Sequence, residues 1–321
     1  MINVAILVLK NSVLASIADA RRIFIETNKI LAQSGIEQAF NVELVGEWES
    51  VQVNDGLFKI FPDVATTADY KADLIIIPAM TGDMITATFL NKAYGAWIDK
   101  QYRDGAEVAS LCVGAFLLAF TGLLKNKECT THWAYADEFR SYYPAVKLVE
   151  EKMFTGQSGL YSSGGNNSYW NLLLFLIEKF TNRQIAIEAS KFFLIDIDRI
   201  AQSPFLVFRG TRKHEDETVL AIQEYIEQNF SERMSVIELA SRFNLTRRTL
   251  ERRFAKVTHH TVAQYIQRVK LEAAKKMLEI GRKSIANVML EVGYTDVQTF
   301  RENFKEFTNM TPIEYRNKFC K

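Results

Sequence analysis

The chain begins with an unbroken apolar run, Asn3-Val-Ala-Ile-Leu-Val-Leu9. A run without polar alternation reads as a strand buried on both faces of a parallel sheet. Apolar positions then recur at helical spacing over Ile17–Ala32. Val42–Val45 and Leu74-Ile-Ile-Ile-Pro78 read as further strands. Ala93–Arg103 is an amphipathic helix, Gly105 breaks it, and Val108–Leu111 is the next strand. The uncharged stretch Val108–Leu124 has 17 residues, short of the roughly 20 that span a bilayer. Ser110, Cys112, Gly114, Thr121 and Gly122 interrupt it, which predicts a buried strand, a tight turn and a buried helix. Leu160–Ser163 is a late strand, and Gly164-Gly-Asn-Asn-Ser168 is a polar turn into the apolar helix Tyr169–Lys179. Alternating strands and helices imply right-handed crossovers and a doubly wound α/β sandwich.

The pattern changes near residue 208. Residues 1–208 form the α/β domain, the charged stretch Arg209–Glu217 reads as a linker, and residues 218–321 read as helix throughout. A first helix covers Thr218–Asn229, and Ser235 caps a short one to Arg242. Thr246 caps another, and Thr261 opens a long helix to about Glu279. Gly281 ends it, Ser284 caps the next, and Gly293 turns into a helix at Thr295/Asp296. Thr311-Pro312 starts the last, with Pro at the first helical position as its φ favours. Within this region Thr246–Phe254 returns 50 residues later as Asp296–Phe304. Phe254 matches Phe304, Thr258 matches Thr308, Thr261 matches Thr311 and Tyr265 matches Tyr315. A supersecondary unit used twice is the plain reading. Each copy has the plan of a helix-turn-helix, whose second helix enters the DNA major groove.

Charge supports that reading. Residues 213–321 hold 19 Lys and Arg against 15 Asp and Glu, while the remainder holds 20 against 23, so the duplicated half is the basic half. Cys112, Cys129 and Cys320 have no paired spacing, which points to a reducing compartment without a disulfide framework. The N-terminus lacks the basic and small-residue signature of a signal peptide. The four His show no metal-ligand clustering, and neither a phosphate loop nor a dinucleotide fingerprint is present, so no metal or cofactor is expected.

In the first reader Leu250 and Phe254 lie at i, i+4 and face the core. Arg247, Arg248, Glu251, Arg252 and Lys256 are left outside. Arginine grips guanine bidentately or pairs with phosphate, so this face suits groove reading. In the second reader Phe300 and Phe304 are core, with Val297, Gln298, Arg301, Glu302 and Lys305 outside. The motifs Leu239-Ala240, Arg248-Thr-Leu250-Glu-Arg252-Arg-Phe254, Val292-Gly-Tyr294-Thr-Asp296 and Thr311-Pro312-Ile-Glu-Tyr-Arg316 make residues 215–321 resemble the AraC/XylS-type DNA-binding domain. Glu302 stands where the first unit has Arg252, so the first head is expected to dominate reading.

Ala109-Ser-Leu-Cys112-Val-Gly114-Ala is a nucleophile-elbow pattern, placing a thiol near a helix N-terminus that favours thiolate. His132, in Thr130-Thr-His-Trp133, is a candidate base, although a Cys in an apolar run is commonly structural. With Leu118-Ala119 to Gly122-Leu-Leu124 and Gln202-Ser-Pro204-Phe205, residues 1–200 resemble the PfpI-like class I amidotransferase superfamily. The similarity is to the GlxA-like branch fused to AraC-type domains. It implies a flavodoxin-like sheet and a cytoplasmic homodimeric regulator. The implied partners are double-stranded DNA, a small-molecule effector and RNA polymerase, with no membrane. Two departures bear on chemistry. The acid expected on the first helix aligns with Ser16, leaving Asp19 one turn on, and Asn171 stands where the branch often has Asp. Without an orienting acid no catalytic residue is assigned, and Cys112, His132, Ser16, Ser163, Asn166 and Asn167 are read as an effector pocket at the strand ends. The rival is a thiol-dependent hydrolase or amidase with a DNA-binding tail.

Overall fold

The computed structural model describes residues 1–165, 167–197, 201–208, 210, 212 and 214–320. They fall into two compact units, Met1–Gln202 and Ser203–Lys321. The sequence ended the first domain at residue 208, whereas Ser203–Phe208 group with the second unit. Of the expected linker, Arg209, Thr211 and Lys213 lie outside the described residues, and Asp216 already caps a helix.

The first unit runs β1 (Ile2–Leu7), α1 (Leu14–Gln33), β2 (Phe40–Gly46), a hairpin of β3 (Val51–Val53) and β4 (Phe58–Ile60), β5 (Val64–Ala65), β6 (Leu74–Ile77), α2 (Met84–Leu90), α3 (Ala93–Arg103) and β7 (Glu107–Ser110). It continues with α4 (Ala115–Phe120), β8 (Glu128–Cys129), α5 (Ala136–Tyr142), β9 (Lys147–Leu148), β10 (Phe154–Gln157), β11 (Leu160–Ser163), α6 (Ser168–Phe180) and α7 (Arg183–Phe193). Seven strands form one sheet in the order β10-β11-β7-β6-β1-β2-β5. All its pairings are parallel except that of β10 with β11. Strand β1 lies inside the sheet between β6 and β2, with Val4 beside both Val42 and Leu74. Ala5 and Leu7 point into one core with Ile75, Ile77 and Val108, while Val4 and Ile6 point into the other with Leu74, Ile76 and Ala109. Helices cover both faces, which is why Val4–Leu7 of β1 and all of β6 are apolar at every position. Each such side chain contributes about 1.5–3 kcal/mol on burial. Within Val108–Leu124 the strand, the turn and the buried helix α4 all occur as expected.

The second unit opens with a 3₁₀ turn at Ser203–Phe205. It continues with α8 (Glu217–Gln228), α9 (Val236–Arg242), α10 (Arg247–Thr258), α11 (Val262–Ile280), α12 (Ile285–Glu291), α13 (Val297–Thr308) and α14 (Pro312–Phe319). It has two small cores. Leu250, Phe254 and Tyr265 centre one, and Phe300, Phe304 and Tyr315 the other. Helix α11 serves both, giving Val262, Tyr265 and Ile266 to the first and Leu271, Ala274 and Leu278 to the second. Between these sets the buried Lys270 ammonium donates to Glu232 O (3.1 Å) and Gly293 O (3.3 Å), tying the loops of both halves to one helix. No helix among the described residues is long and apolar enough to cross a membrane.

Candidate functional site

Strand β7 delivers the chain to Cys112, which has φ +55°, a left-handed conformation that costs a non-glycine residue about 1–3 kcal/mol. A 3₁₀ turn over Cys112–Gly114 then leads into α4. A Cβ on Gly114 would lie 2.6 Å from Pro78 O and 2.8 Å from Ile77 O, so the elbow requires glycine against the end of β6. The Cys112 amide donates to Ser163 Oγ at the end of β11 (3.0 Å), and Thr131 Oγ1 donates to Cys112 O (3.1 Å). Three chain segments therefore meet at this one residue.

The thiol is buried, at 3% exposure. Burial pushes its pKa up to about 12, against a smaller lowering by the Val113 amide. This runs against the thiolate expected beside a helix N-terminus. The rise corresponds to roughly 4 kcal/mol, more than the 0.3–2 kcal/mol or so that a helix terminus supplies. His132 is half-buried, and burial holds its pKa below the ordinary imidazole value. Its Nδ1 accepts the Ala134 amide (3.1 Å), which leaves the proton of the neutral ring on Nε2. Gly165 sits against the other edge of the ring, where a Cβ would come within 3.0 Å of Cδ2. Trp133 and Tyr135 flank it at 5.5 and 5.9 Å.

Ser16 is fully buried, and its hydroxyl is committed to backbone, donating to Val13 O (2.7 Å) and accepting Ala79 N (3.0 Å). Asn167 is exposed and precedes α6 without a side-chain cap, and Asn166 lies outside the described residues. Asn171 donates to Asp196 O (2.7 Å). Asp19 accepts a 2.6 Å hydrogen bond from the Tyr169 hydroxyl. Burial first, then Asp19, raise the Tyr169 pKa, and Cys112 adds to the rise as an electrostatic neighbour.

Two participants escaped the sequence reading as site residues. The sequence pattern marks Tyr169 as a helix start alone. Gln202 stands out in the sequence only as part of a motif, yet its buried amide bridges the loops beside Cys112 and His132. Gln202 Oε1 accepts Gly165 N (2.9 Å), and Nε2 donates to Glu150 O (2.7 Å), Thr131 O (3.2 Å) and Thr130 Oγ1 (3.3 Å). A Cβ on Gly164 would meet that amide at 2.4 Å, so the flanking glycine is the detectable signal.

In the second unit the duplication extends to individual hydrogen bonds. Thr246 Oγ1 accepts Thr249 N and Asp296 accepts Thr299 N, capping α10 and α13. Thr258 Oγ1 donates to Phe254 O and His260 O, as Thr308 Oγ1 does to Phe304 O and Met310 O. His259 (φ +58°) and Asn309 (φ +57°) end both helices in the left-handed conformation. Capping boxes Thr261/Gln264 and Thr311/Glu314 open the helices that follow. Arg247, Arg248, Arg252 and Lys256 on α10, and Val297, Gln298, Arg301, Glu302 and Lys305 on α13, are exposed, while Glu251 is half-buried. Arg247 Nε is engaged by Glu251 (3.0 Å) and Gln298 by Glu302 (2.5 Å). The symmetry breaks at Arg253, which grips Asp216 with two bonds of 2.6 and 2.9 Å, whereas Asn303 at the matching place donates to Tyr294 OH (3.4 Å).

Residues 16–179 match the DJ-1/PfpI family, and residues 239–318 match a helix-turn-helix domain. The chain is similar along its length to the HTH-type transcriptional regulator GbdR of Pseudomonas aeruginosa, 26% identical over 98% of this chain and 84% of the relative. It is also similar to the HTH-type transcriptional regulator GlxA of Rhizobium meliloti, 22% identical over 67% of each. A ThiJ/PfpI family protein from Pseudomonas syringae shares the fold, with a TM-score of 0.51 at 15% identity over 70% of this chain and 86% of that one. The elbow, the sheet order and these matches converge, and the chain belongs to the DJ-1/PfpI family, joined to a C-terminal helix-turn-helix domain of the AraC type.

Proposed function

We propose that this protein is a transcription regulator that reads double-stranded DNA with α10 and α13 and senses a small molecule at the Cys112 elbow. The observation that carries the reading is the duplicated head. Both readers repeat the same cap, the same threonine bond and the same left-handed end, and both leave cations on their outer face. The same two-part architecture in relatives that are themselves transcriptional regulators supports it. Cys112, His132 and Ser163 form the heart of the effector site, while Ser16, whose hydroxyl is spent on backbone, only supports the elbow from beneath. The protein acts as a cytoplasmic homodimer, its two-fold axis matched to repeated half-sites, with RNA polymerase as the downstream partner.

The rival, a thiol-dependent hydrolase, has the strained elbow in its favour. Against it, the thiol is held protonated and the Nδ1 lone pair of His132 is taken by a backbone amide. Neither group is prepared to generate a nucleophile.

Operators selected by the full chain from a random duplex pool provide the test. Anisotropy titrations should show a log–log salt slope of about −0.9 for each phosphate engaged. Arg252→Ala should weaken operator binding by roughly 1–3 kcal/mol and by more than Arg301→Ala does. A flat salt response, or failure to enrich any sequence, would overturn the proposal.

A further inference from the structure

Each reader has its own core, and α11 is the helix that both cores share. A helix bends along its length, so sharing one does not by itself hold two bodies at a set angle. Three contacts add to it, all at one joint between the loop after α8 and the turn before α13. Phe230, from the first half, packs against the core of Phe300, Phe304 and Tyr315. Ser231 O lies so near Gly293 that a Cβ there would come within 2.3 Å of it. The buried Lys270 ammonium takes one carbonyl from each half, Glu232 O at 3.1 Å and Gly293 O at 3.3 Å, with the Tyr294 ring 5.9 Å away. Burial holds the Lys270 pKa below the ordinary lysine value. An apolar side chain would fill that space without desolvating a charge, but it would not choose a direction. The duplication shows what the joint demands. Asn244 and Gly293 hold the same place in the two turns, since Leu245 N donates to Ala240 O as Tyr294 N does to Met289 O. Both are left-handed, at φ +52° and +76°. Asparagine meets that φ in the first head, where the position is exposed. The second head needs glycine for the space as well, because the first half packs on it.

We infer that Lys270, with Phe230 and Gly293, fixes the angle between α10 and α13 and so sets the separation of the two short base sequences, or boxes, that one chain reads. The inference rests on α10 and α13 reading DNA, and it adds the residue that positions them. Lys270 is a positioning residue, since it acts through the loops it ties. One base pair advances a duplex by about 3.4 Å and turns it by roughly 35°. Two heads locked together can seat both helices at one separation only. A box displaced by one base pair then forfeits the gain of binding at two points. Heads that rock about α11 would accept neighbouring separations at a lower best affinity.

Duplexes selected by the full chain from a random pool supply the two boxes. Anisotropy titrations then compare the selected spacing with duplexes carrying one base pair more or one fewer between them. We expect the parent chain to prefer its own spacing on the order of tenfold or more. Lys270→Met removes both bonds and should shrink that ratio to within about threefold. Lys270→Arg, which keeps two donors, should restore it. Gly293→Asn keeps the left-handed φ but sets a Cβ against Ser231 O, so it should shift or flatten the preference, whereas Asn244→Gly should leave it as in the parent. The Gly293 pair carries the test alone should Lys270→Met fail to fold. An equal loss of affinity at every spacing, with the ratio intact, would assign Lys270 to stability alone and overturn the inference, as would a parent chain indifferent to spacing. Both results leave the DNA-binding reading standing. A parent chain that enriches no sequence overturns that reading, and the ruler with it.

Discussion

At the scale of the residue, Cys112 shows burial prevailing over position. Its place before a helix suggests an acidic thiol, yet removal from water pushes the pKa up to about 12. At pH 7.5 the thiolate fraction should fall on the order of a thousandfold relative to an ordinary cysteine. Iodoacetamide should therefore label Cys112 far more slowly in the native chain than in urea, read by mass spectrometry. Equal rates would remove the argument for a protonated site. The sign for stability follows from the same shift. The raised thiol pKa contributes stability below the unfolded value, near 8.5, and that contribution is lost as pH rises toward the folded value. His132 has the opposite slope. Its folded pKa is depressed, so its contribution is present above about 6.5 and is lost as pH falls toward the folded pKa. Chemical denaturation at pH 7.5 and 5.5 should show that loss, and His132→Gln should reduce it.

At the scale of the element, caps and close approaches decide where helices begin. A methyl group at Gly114 would meet two carbonyl oxygens of the β6 end that cannot withdraw. Gly114→Ala should destabilise the first unit by about 1–3 kcal/mol, seen as a lowered midpoint in urea, and an unchanged midpoint would show that the elbow relaxes freely. Asp216 both caps α8 and holds Arg253 of α10. Arg253 keeps the Asp216 carboxyl below the usual range, so this stability is present above the unfolded pKa near 3.9 and lost as pH falls through the folded value. Asp216→Ala should cost roughly 1–2 kcal/mol through the lost cap and leave α10 less protected from hydrogen exchange. Protection equal to the parent chain would assign α10 to its apolar face alone.

At the scale of the whole molecule, duplication and symmetry set the expected behaviour. A single chain carries two readers, and a two-fold pair of chains would present four. The full chain should sediment as a dimer of about twice 36.8 kDa at micromolar concentration and protect two related half-sites from cleavage. A monomeric mass with one protected site would restrict the regulator to one copy per operator.

How much of this was legible in the chain differs between its parts. The central strands, both readers and the caps Ser235, Thr246, Thr261, Ser284, Asp296 and Thr311 follow from local rules, because apolar runs, helical spacing and Ser/Thr/Asp caps act within a few residues. The edge strands β5 and β10 and the β3–β4 hairpin carry no such pattern, whereas α7 has an Asn182 cap and apolar residues at helical spacing that the sequence reading passes over. Short elements at a sheet edge owe their form to neighbours rather than to their own residues. The elbow was legible as Cys112-Val-Gly114, since a sharp turn needs a small residue wherever it occurs. The thiol's protonation, the commitment of Ser16 to backbone and the partnership of Asp19 with Tyr169 were decided only by the tertiary structure. Each depends on desolvation or on a partner from a distant segment, up to 150 residues away for Asp19. Gln202 marks the division most clearly. Its amide chemistry is written in the sequence, but its four partners come from residues 130, 131, 150 and 165, and only the folded sheet brings those together.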